Sequence, residues 1–102
     1  MKIAVAATGA TSQSDVSMHS GRAAYFLIFD ENGSLLESLP NPYAEAGHGA
    51  GRRATAFLID HGIHTLIGGH FGPHMRELLE AHGIRCIKGQ GGAQDLVNDL
   101  DC

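Results

Sequence analysis

Three glycine-rich segments each carry histidine: Met18-His19-Ser20-Gly21-Arg22, Gly47-His48-Gly49-Ala50-Gly51 and Gly69-His70-Phe71-Gly72-Pro73-His74-Met75. Imidazole suits iron, copper and zinc, and the thioether of Met18 or Met75 suits softer metals such as copper(I). Glycines beside such residues allow a guest to approach the backbone closely. If the three segments meet at one rim, His19, His48 and His70 make a ligand set, with His74 as a further candidate, Met18 as a soft auxiliary and Arg22 as an anion contact. His70 is the better ligand of its segment, because Pro73 starts a helix between it and His74. An arginine and a helix N-terminus both attract anions, and thiomolybdate-type and iron-sulfur clusters carry negative charge.

Each of these histidines, taken singly, is equally a polar loop residue. His61 and His82 belong to helix ends: each precedes a glycine, where imidazole favours the helix dipole and covers the last carbonyls. His64 opens a strand and is not expected to ligate. Cys86 has no Cys-x-x-Cys partner and reads as a packed thiol, while Cys102 sits at the last position, where a chain end frays. Asp15 and Asp30-Glu31 are too few and too dispersed for a nuclease-type metal site, which wants several converging carboxylates. Gly47-His48-Gly49-Ala50-Gly51 before Arg52 has the look of a phosphate cradle, yet lacks the Lys-Ser/Thr of a P-loop. Two rivals to metal binding therefore stand beside it: a metal-free regulatory or protein-interaction module, and a phosphoester hydrolase using a histidine-bound zinc or manganese.

The elements that must position these residues follow from pattern. Residues 2–7 are an apolar run ending at Thr8-Gly9, a buried first strand. Residues 10–22 are small and polar, a loop. Residues 24–30, Ala-Tyr-Phe-Leu-Ile-Phe-Asp, form a second strand, and Asn32-Gly33 turns the chain into a third over 35–39, ended by Pro40-Asn41-Pro42. Helical spacing of Ala54, Phe57, Leu58 and His61 predicts a helix over 52–61, capped by Gly62. The stretch Leu58 to Gly68 is echoed by Leu79 to Gly89 in pattern: helix end, histidine, glycine, short apolar strand, glycine. Two helix-to-strand units in series imply parallel strands joined by right-handed crossovers. Pro73 heads the helix between them, with Met75, Leu78, Leu79 and His82 on its apolar face, and residues 94–100 make a last short helix.

The result is an α/β domain: a five-stranded mixed sheet with helices on its faces, in a ribonuclease-H-like three-layer arrangement. The hairpin lies on one side of the first strand and the two later strands on the other. The ligand crevice of such a sheet lies beyond the carboxyl ends of its parallel strands, where Thr8-Gly9, Gly68-Gly69-His70 and Gly89-Gln90-Gly91-Gly92 fall.

Composition narrows the function. At 102 residues there is room for one domain, spanning 1–102. Seven Lys and Arg against eleven Asp and Glu give a net charge of -4, with no basic run longer than Arg52-Arg53, so nucleic acid is not an expected partner. No apolar run approaches the roughly 20 residues of a membrane helix. Residues 1–5 lead straight into a strand with no secretory signal pattern, so a cytoplasmic location is expected and a disulfide framework is not.

With these residues in place, the chain resembles the family of small nitrogenase iron-molybdenum cofactor biosynthesis and accessory proteins, which includes the orange proteins of sulfate reducers. The resemblance is carried by Met1-Lys2-Ile3-Ala4-Val5-Ala6, by Ser17-Met18-His19-Ser20-Gly21-Arg22-Ala23 with Tyr25-Phe26 behind it, and by Asn41-Pro42. Gly47-His48-Gly49-Ala50-Gly51, His61-Gly62-Ile63 and Gly72-Pro73 complete it. It implies a ribonuclease-H-like fold without nuclease activity. The bound species would be an iron-sulfur cluster, an iron-molybdenum cofactor precursor or a molybdenum-copper sulfide. The family commonly shows His-Phe-Gly-Arg in the first loop; here Ser20 replaces the aromatic residue while His19, Gly21 and Arg22 match, so a ligand-site role carries over to His19. The expected function is a non-enzymatic carrier that holds a metal-sulfur cluster by few, exchangeable contacts and passes it between a donor and an acceptor protein.

Overall fold

The computed structural model describes residues 2–45 and 49–100. His48, a candidate ligand above, and Cys102 lie outside the described residues.

Strands β1 (Lys2–Ala7), β2 (Tyr25–Asp30), β3 (Leu35–Pro40), β4 (Thr65–Gly68) and β5 (Arg85–Lys88) form one sheet in the order β3-β2-β1-β4-β5. β1 pairs antiparallel with β2 and parallel with β4, β2 pairs antiparallel with β3, and β4 pairs parallel with β5. The hairpin therefore flanks β1 on one side and the two later strands on the other, as the sequence pattern requires. Helices α1 (Ala50–Asp60) and α2 (Pro73–Ala81) lie on one face and α3 (Ala93–Asn98) on the other.

Alternation along the central strands explains the two cores. Ala4, Ala6, Phe26, Ile28 and Leu66 point to the α1/α2 face, where they meet Leu58 and Leu79. Ile3, Val5, Leu27, Phe29 and Ile67 point to the α3 face, where Ala93 and Val97 cover them. With both faces covered, β1 is apolar from Ile3 to Ala7 instead of alternating with polar residues. Leu58 and Leu79 are wholly buried, each contributing about 2–3 kcal/mol by burial.

Local chemistry sets the boundaries. The hairpin turns where Asp30 Oδ1 accepts from the N–H groups of Asn32 and Ser34, both at 2.9 Å, and Gly33 takes φ 86°. α2 begins at Pro73, whose missing N–H costs nothing at the first helical position. Gly62 and Gly83 follow α1 and α2 at φ 70° and 75°, the left-handed conformation that ends a helix without a Cβ penalty. His61 and His82 do cap: their Nδ1 atoms lie 2.8 and 2.9 Å from the carbonyls of Phe57 and Leu78. His64 is tied through Nδ1 to the Lys2 carbonyl at 2.6 Å. No helix of the described residues is long and apolar enough to cross a membrane.

Candidate functional site: a cationic cavity at the carboxyl ends of the parallel strands

The loop leaving β1 folds back on its own strand end. Thr8 and Ser17 N–H groups donate to the carbonyls of Asp15 and Ala6, at 2.9 and 2.7 Å. The following residues then run beside the loop leaving β4: Gly69 N–H donates to the Ser17 carbonyl at 2.9 Å, Ser20 N–H to the His70 carbonyl at 3.1 Å, and His19 and His70 form a parallel bridge. A 3-10 turn at Ser20–Arg22, which sequence pattern does not reveal, carries Arg22 to the same place.

These segments surround an open cavity of ≈470 Å³, lined by residues 19–22, 49–52, 70 and 72–75. His19, Arg22, His70 and His74 share this lining. Met18 does not; it is 64% exposed. Gly49, next to His48, is in the lining. Among the described residues no three His, Cys, Asp or Glu side chains are grouped closely enough to hold one metal ion. The loop at 89–92 shares the sheet end but takes another partner: the Gly91 carbonyl accepts from Val16 N–H, and the cavity is not touched.

The lining contains residues that spacing alone does not single out. Arg52, on the first turn of α1, is the chief one; Met75, weighed above as a soft thioether, is 3% exposed and forms part of the floor. α1 starts at Ala50, two residues before the helical spacing implies, because Gly49 serves as N-cap at φ 80°. That earlier start brings the first turn of α1 onto the 3-10 turn, where a Cβ on Gly21 would lie 2.9 Å from Gly51 Cα. Two α-helices thus open into one cavity. Neither has a side-chain N-cap bond or an acidic residue in its first turn, so first-turn N–H groups without intrahelical acceptors face the cavity region. The positive ends of both dipoles add to Arg22 and Arg52. Among the described residues the lining has no carboxylate, although acidic residues outnumber basic ones eleven to seven in the chain.

Ser20, the position where the family resemblance expects an aromatic ring, is 1% exposed and its Oγ has no hydrogen-bond partner. It packs against Gly68, and a Cβ placed on Gly68 would collide with Ser20 Oγ and lie 3.4 Å from Phe71 Cζ. Aromatic bulk next to this Gly68–Ser20 contact comes from Phe71, in the loop after β4. Cys86 lies away from the cavity, against the α1/α2 core. Burial pushes its thiol pKa up; Arg76 opposes this and Glu80 adds to it.

A mixed α/β sheet with an arginine- and histidine-lined cavity at its strand ends is the class these features define. The chain belongs to the family described as dinitrogenase iron-molybdenum cofactor, which matches residues 1–101. Among solved structures it is similar to the apo form of the orange protein from Desulfovibrio gigas, at 30% identity and a TM-score of 0.89 over 95% of this chain and 83% of that one. It is also similar to a putative NifB protein from Thermotoga, at 28% identity and a TM-score of 0.80 over 95% of this chain and 84% of that one. No curated protein matches the chain.

Proposed function

We propose that this chain is a carrier, not a catalyst, which binds a metal-sulfur cluster or an iron-molybdenum cofactor precursor and hands it to another protein. One observation carries the reading: the described lining of the cavity combines Arg22, Arg52 and the first turns of two helices with no carboxylate, in a chain of net charge -4. A site built this way favours an anionic guest. His19, His70 and His74 add imidazole nitrogen, which suits iron and copper. His48 is proposed as a further ligand on the strength of its neighbour Gly49 in the lining, and Met18, outside the lining, as a soft contact. Family membership supports a cofactor-related cargo. The sheet order, with β2 alone running against the other strands, supports a ribonuclease-H-like classification.

Anaerobic reconstitution with sulfide and iron, molybdenum or copper tests the reading. The expected result is a visible absorption band that is lost when His19, His48 and His70 are all replaced by alanine. A protein that takes up none of these metals under such conditions is instead a metal-free interaction module.

A further inference from the structure

Asn41-Pro42 ends β3 and has no atom in the cavity lining, yet Asn41 is only 7% exposed and its side chain is fully engaged. Its Nδ2 donates to the carbonyls of Gly21 at 3.1 Å and Ala23 at 3.0 Å, and its Oδ1 accepts from Tyr43 N–H at 3.0 Å. Its own N–H donates to the Ala24 carbonyl at 3.0 Å. The amide orientation follows from these partners, since two carbonyls require the NH2 and one N–H requires the oxygen.

The two carbonyls that Nδ2 holds belong to the residues on either side of Arg22. A single planar amide, immobilised by burial and by its third bond to Tyr43, therefore fixes the peptide group that enters Arg22 and the one that leaves Ala23, so that the arginine lies between two held points of the chain. Further ties of the segment come from the rim: Arg22 N–H donates to the His19 carbonyl and Ser20 N–H to the His70 carbonyl, both at 3.1 Å. The Arg22 backbone is thus pinned between the end of β3 and the histidine loops. A flexible arginine loses conformational entropy when it binds an anion, and a pre-set backbone lessens that loss.

We infer that Asn41 is the positioning residue for Arg22, setting anion affinity at the cavity through that guanidinium and not through the fold. The inference deepens the carrier reading and rests on it for its binding arm. In titrations of the full chain with tetrathiomolybdate, Asn41→Ala weakens binding about tenfold, the scale of one charge-assisted contact. In an Arg22→Ala background the same change causes little further loss. Equal fold-losses in both backgrounds would mean that Asn41 acts on the fold at large and would overturn the inference. A ligand-free arm separates it from the carrier reading: the 15Nε order parameter of Arg22 falls in Asn41→Ala while that of Arg52 holds. An unchanged Arg22 order parameter overturns the inference, whether or not the wild-type chain binds tetrathiomolybdate; absence of binding by the wild type counts against the carrier reading alone. If Asn41→Ala does not fold, Asn41→Ser, which keeps one donor, is expected to give an intermediate loss of Arg22 order, and no loss overturns the inference.

Discussion

The backbones of His19 and His70 run side by side as a parallel bridge, secured by the Ser20 N–H donating to the His70 carbonyl at 3.1 Å. Two histidines from distant parts of the chain thereby ride on one piece of hydrogen-bonded backbone, and the rim of the cavity becomes a continuation of the sheet.

Gly69 makes that closeness possible. It does not need a left-handed conformation; it needs space, since a Cβ there would lie 2.8 Å from both Met18 Cα and the Ser17 carbonyl oxygen. Gly69→Ala is expected to cost about 1–3 kcal/mol, the usual range for overpacking, and to weaken anion binding by parting the two loops. Urea denaturation and a tetrathiomolybdate titration measure the two effects. A variant as stable as the parent would mean that the rim is not held by this contact.

Ser20 and Gly68 form a second close pair, with a different sign. The Ser20 hydroxyl is buried without a partner, so Ser20→Ala should leave stability unchanged or raise it by about 1 kcal/mol. Gly68→Ala is expected to destabilise, because its new methyl meets Ser20 Oγ and comes within 3.0 Å of Ser20 Cβ. Ser20→Gly should recover much of that loss in the double variant. Additive losses in the thermal midpoints would contradict the pairing.

Cys86 gives the fold a pH dependence with a fixed direction. Burial, helped by Glu80 and opposed by Arg76, raises its pKa, so the folded chain holds the thiol proton more tightly than the unfolded chain does. The contribution is complete below the unfolded thiol's range, about 8.5, and is lost as pH rises through the folded value. Stability followed by urea midpoint should therefore fall more steeply above that range in the parent than in Cys86→Ala. Parallel curves would show that the thiol is not the source.

The histidines at the helix ends should separate cleanly from those at the rim. His82→Ala removes one hydrogen bond to the Leu78 carbonyl at an exposed site and is expected to cost roughly 0.5–1 kcal/mol. His61→Ala also strips a ring packed at a tilt against Phe57, at a centroid distance of 4.6 Å, so about 1–2 kcal/mol is expected. Neither change should alter tetrathiomolybdate affinity; a loss of binding would show that the helix ends communicate with the cavity.

The sequence reveals those parts of the molecule that obey a local rule. Asn32-Gly33, Pro73 and the glycines after His61 and His82 act within a few residues, so the hairpin, the start of α2 and the ends of α1 and α2 are legible from spacing. The paired helix-strand units give the parallel strands, and with them the end of the sheet where the cavity lies. What spacing cannot reveal is long-range. Gly49-Ala50-Gly51 reads as loop, but becomes the start of α1 because Gly51 can sit against Gly21 of the 3-10 turn. β3 runs on through Pro40, which pairs with Tyr25, because an edge strand tolerates a residue without an N–H. Met75 reads both as an apolar helix position and as a soft thioether, and its place in the cavity floor depends on where α2 docks. Of the sequence-derived candidates, His19, Arg22, His70 and His74 share the cavity lining, whereas Met18 stands outside it.

Cluster binding is tested most directly by the metal and sulfide content of the protein purified without oxygen. Iron, molybdenum or copper should copurify with acid-labile sulfide, and both should disappear together when Arg22, His19 and His70 are replaced by alanine in a chain that still folds. Protein that carries neither metal nor sulfide, and acquires none when incubated anaerobically with sulfide and each of the three metals, would contradict it.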